Sequence, residues 1–120
     1  MSSRLVVAAL IALAGCSKPD PAKIALAERG VVASVAVVGA PFAAVAPALA
    51  AKGYDCRMSR GDFTDESGKP SSARAFMRCD AETKPVRDCS IRTQVIVVPK
   101  EGVIEQVHFL AGPACMRTGR

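Results

Sequence analysis

This 120-residue sequence contains five cysteines, which can take part in more kinds of chemistry than its other residues. They are Cys16, Cys56, Cys79, Cys89 and Cys115. Thiols form disulfides in oxidising compartments, whereas cysteine patterns in reducing compartments are typical of metal binding or catalysis. A structural zinc site needs close pairs such as C-x-x-C, and no two of these cysteines are spaced that way. The spacing predicts disulfides and no metal site, but five cysteines leave one without a partner.

Cys16 ends a recognisable pattern at the beginning of the chain. Arg4 is followed by an apolar run from Leu5 to Leu13, which is too short for a bilayer-spanning helix of roughly 20 residues. A basic start, a short apolar run and small residues are typical of a secretory signal peptide. The apolar run ends in the tetrapeptide Leu13-Ala14-Gly15-Cys16, which resembles the lipobox of bacterial lipoproteins. An ordinary signal peptide with a chance cysteine, or a buried apolar helix, is the alternative.

The lipobox resemblance implies a processed and lipidated protein. Residues 1–15 would be the cleaved signal peptide, and Cys16 would carry a diacylglycerol on its sulfur and an N-acyl chain such as palmitate. Ser17 stands where this family places Asp for inner-membrane retention, so the resemblance implies sorting to the outer membrane, facing the periplasm. The lipid on Cys16 is the only attached group expected, and no other cofactor is predicted. Because Arg4 is the only charged residue in residues 1–15, their removal lowers the formal net charge from +5 to +4.

The rest of the chain divides into a tether and one small domain. Two prolines and no apolar run make residues 16–23 a short lipidated tether. Residues 24–120 are long enough for one domain with a modest core. Only 4% of the residues are aromatic, which argues against base-stacking contacts with nucleic acid.

Hydrophobic periodicity predicts the elements of that domain. Val31–Val38 is rich in β-branched residues and favours a buried strand, with a continuing helix as the alternative. Residues 41–52 look helical, with an apolar stripe from Phe42 to Leu49, and Pro47 requires either a kink or a regular helix that begins near Ala46. Apolar residues then alternate with polar ones in four runs, separated by a polar loop at residues 61–72 and a turn at residues 99–102. The predicted fold is α+β, a short helix packed on a four-stranded antiparallel meander in two layers and stapled by disulfides.

The phase of the alternation predicts where the cysteines and arginines lie. Removal of Cys16 from the count leaves four cysteines, hence two disulfides. We prefer the pairs Cys56–Cys79 and Cys89–Cys115, while Cys79–Cys89 with Cys56–Cys115 stays open. The opposite sheet face collects four arginines whose guanidinium groups match phosphates and carboxylates. This predicted anionic-partner face consists of Arg57, Arg74, Arg78 and Arg92. A solvated face paired with Asp55 and Asp80 is the plainer interpretation.

No catalytic group accompanies these features. His108 is the single histidine, has no nucleophile motif beside it, and is predicted to lie on the surface. The acidic loop with Asp62, Asp65 and Glu66 lacks the spacing of an EF-hand. The sequence predicts a protein that is not an enzyme.

The stretch Val37–Cys56, VVGAPFAAVAPALAAKGYDC, is similar to the SmpA/OmlA family of small outer-membrane lipoproteins. That family assists the assembly of outer-membrane β-barrels, and inhibitor domains use the same helix-plus-sheet unit. Its domain typically has two helices before three strands, whereas four strands are predicted here, and no site residue carries over.

Together these observations predict a membrane-anchored envelope lipoprotein that acts as a non-catalytic binding or assembly-accessory module. Its partners would be the membrane, through the lipid, and an envelope protein or anionic envelope component, but not nucleic acid. One alternative is an inhibitor of a periplasmic or secreted hydrolase, with the loop at residues 61–72 plugging an active site. Another is a small-ligand carrier with an apolar pocket between helix and sheet.

Overall fold

Two helices precede a four-stranded antiparallel sheet in the structure, a computed structural model that describes residues 21–83 and 89–115. The helices are α1 (Pro21–Val35) and α2 (Val45–Ala50), and a 3-10 turn at Phe42–Ala44 leads into α2. The strands are β1 (Asp55–Thr64), β2 (Pro70–Glu82), β3 (Cys89–Lys100) and β4 (Val103–Cys115). Their order in the sheet is β1-β2-β3-β4, so the predicted two-layer α+β fold with a meander is confirmed.

Helix α1 corrects the interpretation of Val31–Val38 as a strand. The helix continues through Val35, which is the alternative that the sequence left open. Val32 and Ala36 lie four residues apart and are both buried, so helical spacing puts them on one face toward the core. Packing on that face decides the structure here, because a run of β-branched residues fits a buried helix or a buried strand equally well. Residues 21–23, which were assigned to the tether, form the first turn of α1.

Helix α2 is short because Pro47 can lie only near its beginning, as predicted. The regular helix begins at Val45, so Pro47 falls in its first turn, where a missing N–H leaves no helical hydrogen bond unmade. Val45 and Leu49 are buried and Phe42 is partly buried, which confirms the apolar stripe. The chain leaves the helix through Gly53 at φ 96°, a left-handed conformation that glycine adopts without strain.

The helices pack on one face of the sheet, which we call the helix face. Val32, Val45 and Leu49 from the helices meet a group of buried sheet residues to form the first core. That group includes Tyr54, Met77, Cys79, Val95, Val97 and Phe109. Val95 lies opposite Phe109 and Val97 opposite Val107, so the predicted pairing of the last two strands is confirmed. Glu101 and Gly102 both have positive φ and form the tight two-residue turn between these strands.

The outer part of the β1–β2 hairpin leaves the plane of the sheet. We call residues 60–75 the hairpin arm. The pairing register shifts between Ser59 and Gly61, where β2 contributes one more residue than β1, a β-bulge that bends the hairpin. Beyond that point β2 has no partner in β3, because the β2–β3 ladder covers only Met77 to Glu82. The arm is therefore free to fold across the sheet.

The arm folds over the face opposite the helices, which we call the outer face. Phe63 and Phe76 pack there with Ile96 and Val98 in a second buried cluster, and Leu110 packs against it. The prediction of a polar loop at residues 61–72 is wrong, since only the segment between Thr64 and Pro70 connects the strands. The burial of Phe63 explains the difference, because it extends β1 past the polar residues that looked like a loop.

Candidate functional site

Three of the four predicted arginines lie on the outer face. Arg57 stands directly opposite Arg78 in the β1–β2 ladder, and both are exposed. Arg92 is also exposed and shares the outer face because it follows the same alternation as Ile96. Like charges placed directly opposite each other in a sheet are destabilising. The Arg57–Arg78 pair is thus a local cost, which the ion pair of Arg57 with Asp55 reduces.

Arg74 is separated from the other three arginines. It lies between Ala73 and Phe76, which both pack into the second core on the outer face. The two residues between them, Arg74 and Ala75, are exposed and belong to the bulge, so they point away from that core. The strict alternation that grouped Arg74 with Arg78 is broken at the bulge, and the structure leaves Arg57, Arg78 and Arg92 as the outer-face arginines.

The carboxylates of the outer face are already engaged within the protein. Asp55 pairs with Arg57 at 3.3 Å, and both side chains are largely exposed. Asp80 accepts a hydrogen bond from Gln94 Nε2 at 3.0 Å. Glu82 is hydrogen-bonded to the Ser90 hydroxyl. Within residues 21–83 and 89–115, Arg78 and Arg92 form no ion pair within 4.0 Å, although Glu82 stands opposite Arg92 in the β2–β3 ladder.

An open groove of about 690 Å³ crosses the uncovered end of the outer face. Its lining includes Asp55, Asp80, Glu82, Arg92, Gln94 and Leu110. Residues from all four strands contribute to this lining, so the groove keeps its shape only while the sheet is intact. Three of the four charged lining residues are acidic, so the groove offers a partner carboxylate oxygens together with the guanidinium of Arg92.

The tip of the hairpin arm is fastened to strand β4. Glu66 Oε1 lies 2.6 Å from His108 Nδ1, and His108 Nε2 lies 2.9 Å from Gln106 Oε1. The His108 ring also contacts the Phe63 ring, with centroids 5.5 Å apart. The hydrogen bond from His108 lowers the pKa of the Glu66 carboxyl. His108, predicted to be a surface residue, is partly buried, with a side-chain exposure of 17%.

Asp65 organises the turn at the same tip. Its Oδ1 accepts hydrogen bonds from the backbone N–H of Ser67 at 2.9 Å and of Lys69 at 3.0 Å. Hydrogen bonds from Ser67 and Lys69 lower the pKa of Asp65. Two of the three acidic residues that the sequence grouped in this loop therefore bind their own protein, and the tip folds back onto the sheet.

A polar network that sequence reasoning missed lies between helix α1 and the sheet. The Tyr54 hydroxyl donates to Glu28 Oε1 at 2.8 Å and accepts from Thr93 Oγ1 at 3.1 Å. The pKa of Tyr54 is raised to about 12, mainly by burial; the hydrogen bond with Thr93 lowers it and Glu28 raises it. The three residues are far apart in sequence, and the only signal was that Tyr54 is the single tyrosine. These hydrogen bonds hold α1 against the sheet, so the network has a structural role.

The four cysteines of the sheet form two pairs, and the members of each pair lie opposite each other in neighbouring strands. Cys56 and Cys79 form a disulfide across the β1–β2 ladder, which confirms one preferred pair and makes the alternative Cys79–Cys89 with Cys56–Cys115 wrong. Cys89 stands opposite Cys115 in the β3–β4 ladder. The side chains of these two residues lie outside the described part of the structure, so the second pair stays a prediction.

Cys16 and the predicted signal peptide lie outside the described residues. In the described ranges, no helix has the length and apolar character needed to cross a membrane. No group of three or more His, Cys, Asp or Glu side chains among the residues that the structure covers is arranged to hold a metal ion.

Comparison with known proteins gives no relative: no family model, curated protein or solved structure matches the chain.

Proposed function

We propose that this protein is a lipid-anchored module of a bacterial envelope that binds an anionic partner through the outer face of its sheet. The proposal rests on which charged residues of that face have partners within the protein and which do not. The acids are engaged by Arg57, Gln94 and Ser90, while Arg78 and Arg92 form no ion pair among the described residues. A partner that brings carboxylates or phosphates would bind these free guanidinium groups in forked geometry.

The anchor half of the proposal rests on the lipobox. Leu13-Ala14-Gly15-Cys16 directly follows a short apolar run, and the remaining four cysteines then form an even set. The Cys56–Cys79 disulfide supports an oxidising compartment such as the bacterial periplasm. A lipid on Cys16 would hold the domain at the membrane, on the proposal at the periplasmic side of the outer membrane, and raise its local concentration near envelope partners.

The geometry favours this proposal over the two alternatives. A hydrolase inhibitor would present a projecting loop, whereas Glu66 at the hairpin tip is bound to His108. A small-ligand carrier would need space between helices and sheet, and the first core fills that layer with buried side chains such as Val45, Leu49 and Val95. A binding surface on the outer face needs neither a projecting loop nor an internal cavity.

Lipidation is tested first and by itself. The full-length chain is expressed in a diderm bacterium, and the mature protein is analysed by intact mass spectrometry. We expect a mature chain that begins at Cys16 and carries diacylglycerol and one further acyl chain. The matched variant Cys16→Ser should stay unprocessed or soluble. A mature N-terminus at another residue, without lipid, would remove the anchor from the proposal.

Binding is tested with photo-cross-linking residues placed on the two sides of the sheet in intact cells. A photoreactive residue replaces Gly112, which lies opposite Arg92, lines the groove and has open space for a side chain. A matched one replaces Arg60, which is exposed and lies beside Arg74 at the bulge. We expect a defined protein or polysaccharide adduct from position 112 and a weaker one or none from position 60. The double variant Arg57→Glu, Arg78→Glu should reduce the adduct at position 112, while Arg60→Glu, Arg74→Glu should not. Equal adducts from both positions, or an equal loss in both double variants, would contradict the assignment to the outer face.

A further inference from the structure

Helix α1 exposes a face that is apolar and positively charged. Its inner face carries Val32 into the first core, and Glu28 is held there by the Tyr54 hydroxyl. Residues on the opposite side of the helix are exposed. They are Lys23, Leu26, Ala27, Gly30, Ala33 and Ser34, and we call them the outward face of α1. Because Glu28 is the only acid of α1, the helix itself contributes no negative charge to this face. Glu66 of the hairpin arm lines a groove with Leu26 and Arg29 at the edge of the face, where it is bonded to His108.

Exposed apolar side chains concentrate along this helix and just after it. Leu26 is 69% exposed, and Val37 and Val38, which follow the last turn, are 50% and 63% exposed. They are three of the five large apolar side chains that stand exposed in the described structure. Arg29 lies at the edge of the same face, with its guanidinium 5.2 Å from the centre of the Phe109 ring. An exposed leucine flanked by basic residues can insert at a membrane interface beside anionic lipid headgroups.

The predicted anchor is close enough to bring this face to a membrane. Helix α1 begins at Pro21, five residues after Cys16. A fully extended chain spans at most about 3.6 Å per residue, so the helix begins within about 18 Å of a lipidated Cys16. The helices cover one face of the sheet, so the layer nearest the lipid is α1 and the outer face of the sheet lies on the far side.

The geometry points to the surface of an anionic phospholipid bilayer as the occupant of the outward face of α1. Leu26 enters the boundary between headgroups and acyl chains, and Lys23 and Arg29 lie against lipid phosphates. This contact orients the domain, so that the groove and the free arginines of the outer face point away from the membrane toward a partner. The inference rests on the proposed anchor for proximity, but the contact itself is made by residues of α1.

Depth-dependent quenching tests this orientation on the protein as it is purified, reconstituted with vesicles of phosphatidylglycerol and phosphatidylethanolamine. A fluorescent non-natural residue replaces Ala33 on the outward face of α1, and a matched one replaces Arg92 on the outer face of the sheet. We expect a nitroxide attached to the lipid chains to quench the label at position 33 and not that at position 92. Equal quenching of both labels, or of neither, would overturn the inference. If the label at position 33 is also shielded from a water-soluble quencher, then protein and not lipid covers the face.

A substitution pair tests the residues themselves. Lys23→Glu with Leu26→Ser should weaken vesicle binding at least about tenfold, because it replaces a positive charge by a negative one and removes the largest exposed apolar side chain of α1. Binding is measured on the chain from residue 16 onward with Cys16→Ser, which carries neither the predicted signal peptide nor a lipid. The matched control is Lys69→Glu with Met58→Ser, which makes the same kinds of change at exposed positions away from α1. Equal weakening by both pairs would overturn the inference.

The mass of the mature protein separates the two proposals. A lipidated protein without quenching at position 33 keeps the anchor and loses the orientation. A protein without lipid whose position-33 label is still quenched on vesicles keeps the membrane contact of α1 and loses the anchor.

Discussion

Glu66 at the tip of the β1–β2 hairpin lies 2.6 Å from His108 in strand β4, at the other edge of the sheet. Strand β3 lies between them in the sheet order, so the contact exists only because the hairpin arm crosses the outer face. Phe63 and Phe76 fill the space beneath the crossing. The Glu66–His108 hydrogen bond and the second core thus close one end of the outer face and leave the groove at the other end open.

The Glu66–His108 contact predicts a small, pH-dependent contribution to stability. The pKa of Glu66 is lower in the folded protein than in the unfolded chain, where it is about 4.3. The contribution is fully present above that unfolded value and is lost as pH falls through the lower folded value. Because the Glu66 side chain is 41% exposed, we expect Glu66→Gln to lower the free energy of unfolding by less than about 1 kcal/mol at neutral pH.

Urea unfolding of both proteins from neutral to acid pH measures this effect. The difference between wild type and Glu66→Gln should shrink as the solution becomes acidic. Asp62→Asn is the control, because it removes a charge from the same arm at a residue without an ion pair in the described structure. A difference that stays constant across the acid range would show that the carboxylate charge is not what holds the tip.

The packing of the second core predicts that the hairpin arm needs Phe76 to stay folded against the sheet. This side chain is fully buried at 0% exposure, and its ring lies 5.0 Å from that of Phe63. Phe76→Ala should therefore destabilise the protein by about 3–5 kcal/mol. It should also expose the arm, so that trypsin cleaves faster after Arg60 and Arg74 under native conditions. Met58→Ala, at a position 57% exposed, should change neither measurement, and unchanged cleavage in Phe76→Ala would disprove the packing of the arm.

The meander was predictable because its signal is local. Alternation places Val95 and Val97 on the helix face and Arg92 on the outer face, and the structure agrees with each placement. The bulge beside Arg74 had no comparable signal, since one extra residue in β2 reverses the phase without a change in composition. The arm was missed for the same reason: Phe63 is a single apolar residue in a polar stretch, and its burial depends on partners in β3.

Helix α1 and its network needed tertiary information. Residues 31–38 form an apolar run that is compatible with a helix or a strand, and only the contacts of Val32 and Ala36 with the first core decide between them. Glu28 is 26 residues from Tyr54, and Thr93 is 39 residues from it, so their hydrogen bonds could not be inferred from spacing.

The opposed cysteines predict two disulfides with the same cross-strand geometry. The confirmed Cys56–Cys79 bridge closes a loop with a sequence separation of 23 residues, and its entropic contribution is about 3 kcal/mol. Replacement of Cys56 and Cys79 by Ala should lower the free energy of unfolding by about that amount. Peptide mapping of the unreduced protein should recover Cys89 linked to Cys115, because their backbones are paired. Free thiols at both positions in protein purified from the periplasm would exclude the second bridge.

Tyr54 offers a direct measurement of the network that holds α1. As the single tyrosine in a chain without tryptophan, it can be titrated by ultraviolet absorbance without interference. Its pKa of about 12 lies above the unfolded value of about 10, so its contribution to stability is fully present below pH 10 and is lost as pH rises toward 12. Tyr54→Phe should remove this pH dependence.

Tyr54→Phe should also lower the free energy of unfolding near neutral pH by about 1–2 kcal/mol, because the hydroxyl of buried Thr93 and the carboxylate of Glu28 lose a partner. Urea unfolding at neutral and alkaline pH tests both parts. Ser34→Ala is a suitable control, since it removes an exposed hydroxyl of α1 that bonds only to the carbonyl of Val31. An absorbance midpoint near 10 in the native protein would mean that Tyr54 is exposed to water and that α1 is held by its apolar contacts alone.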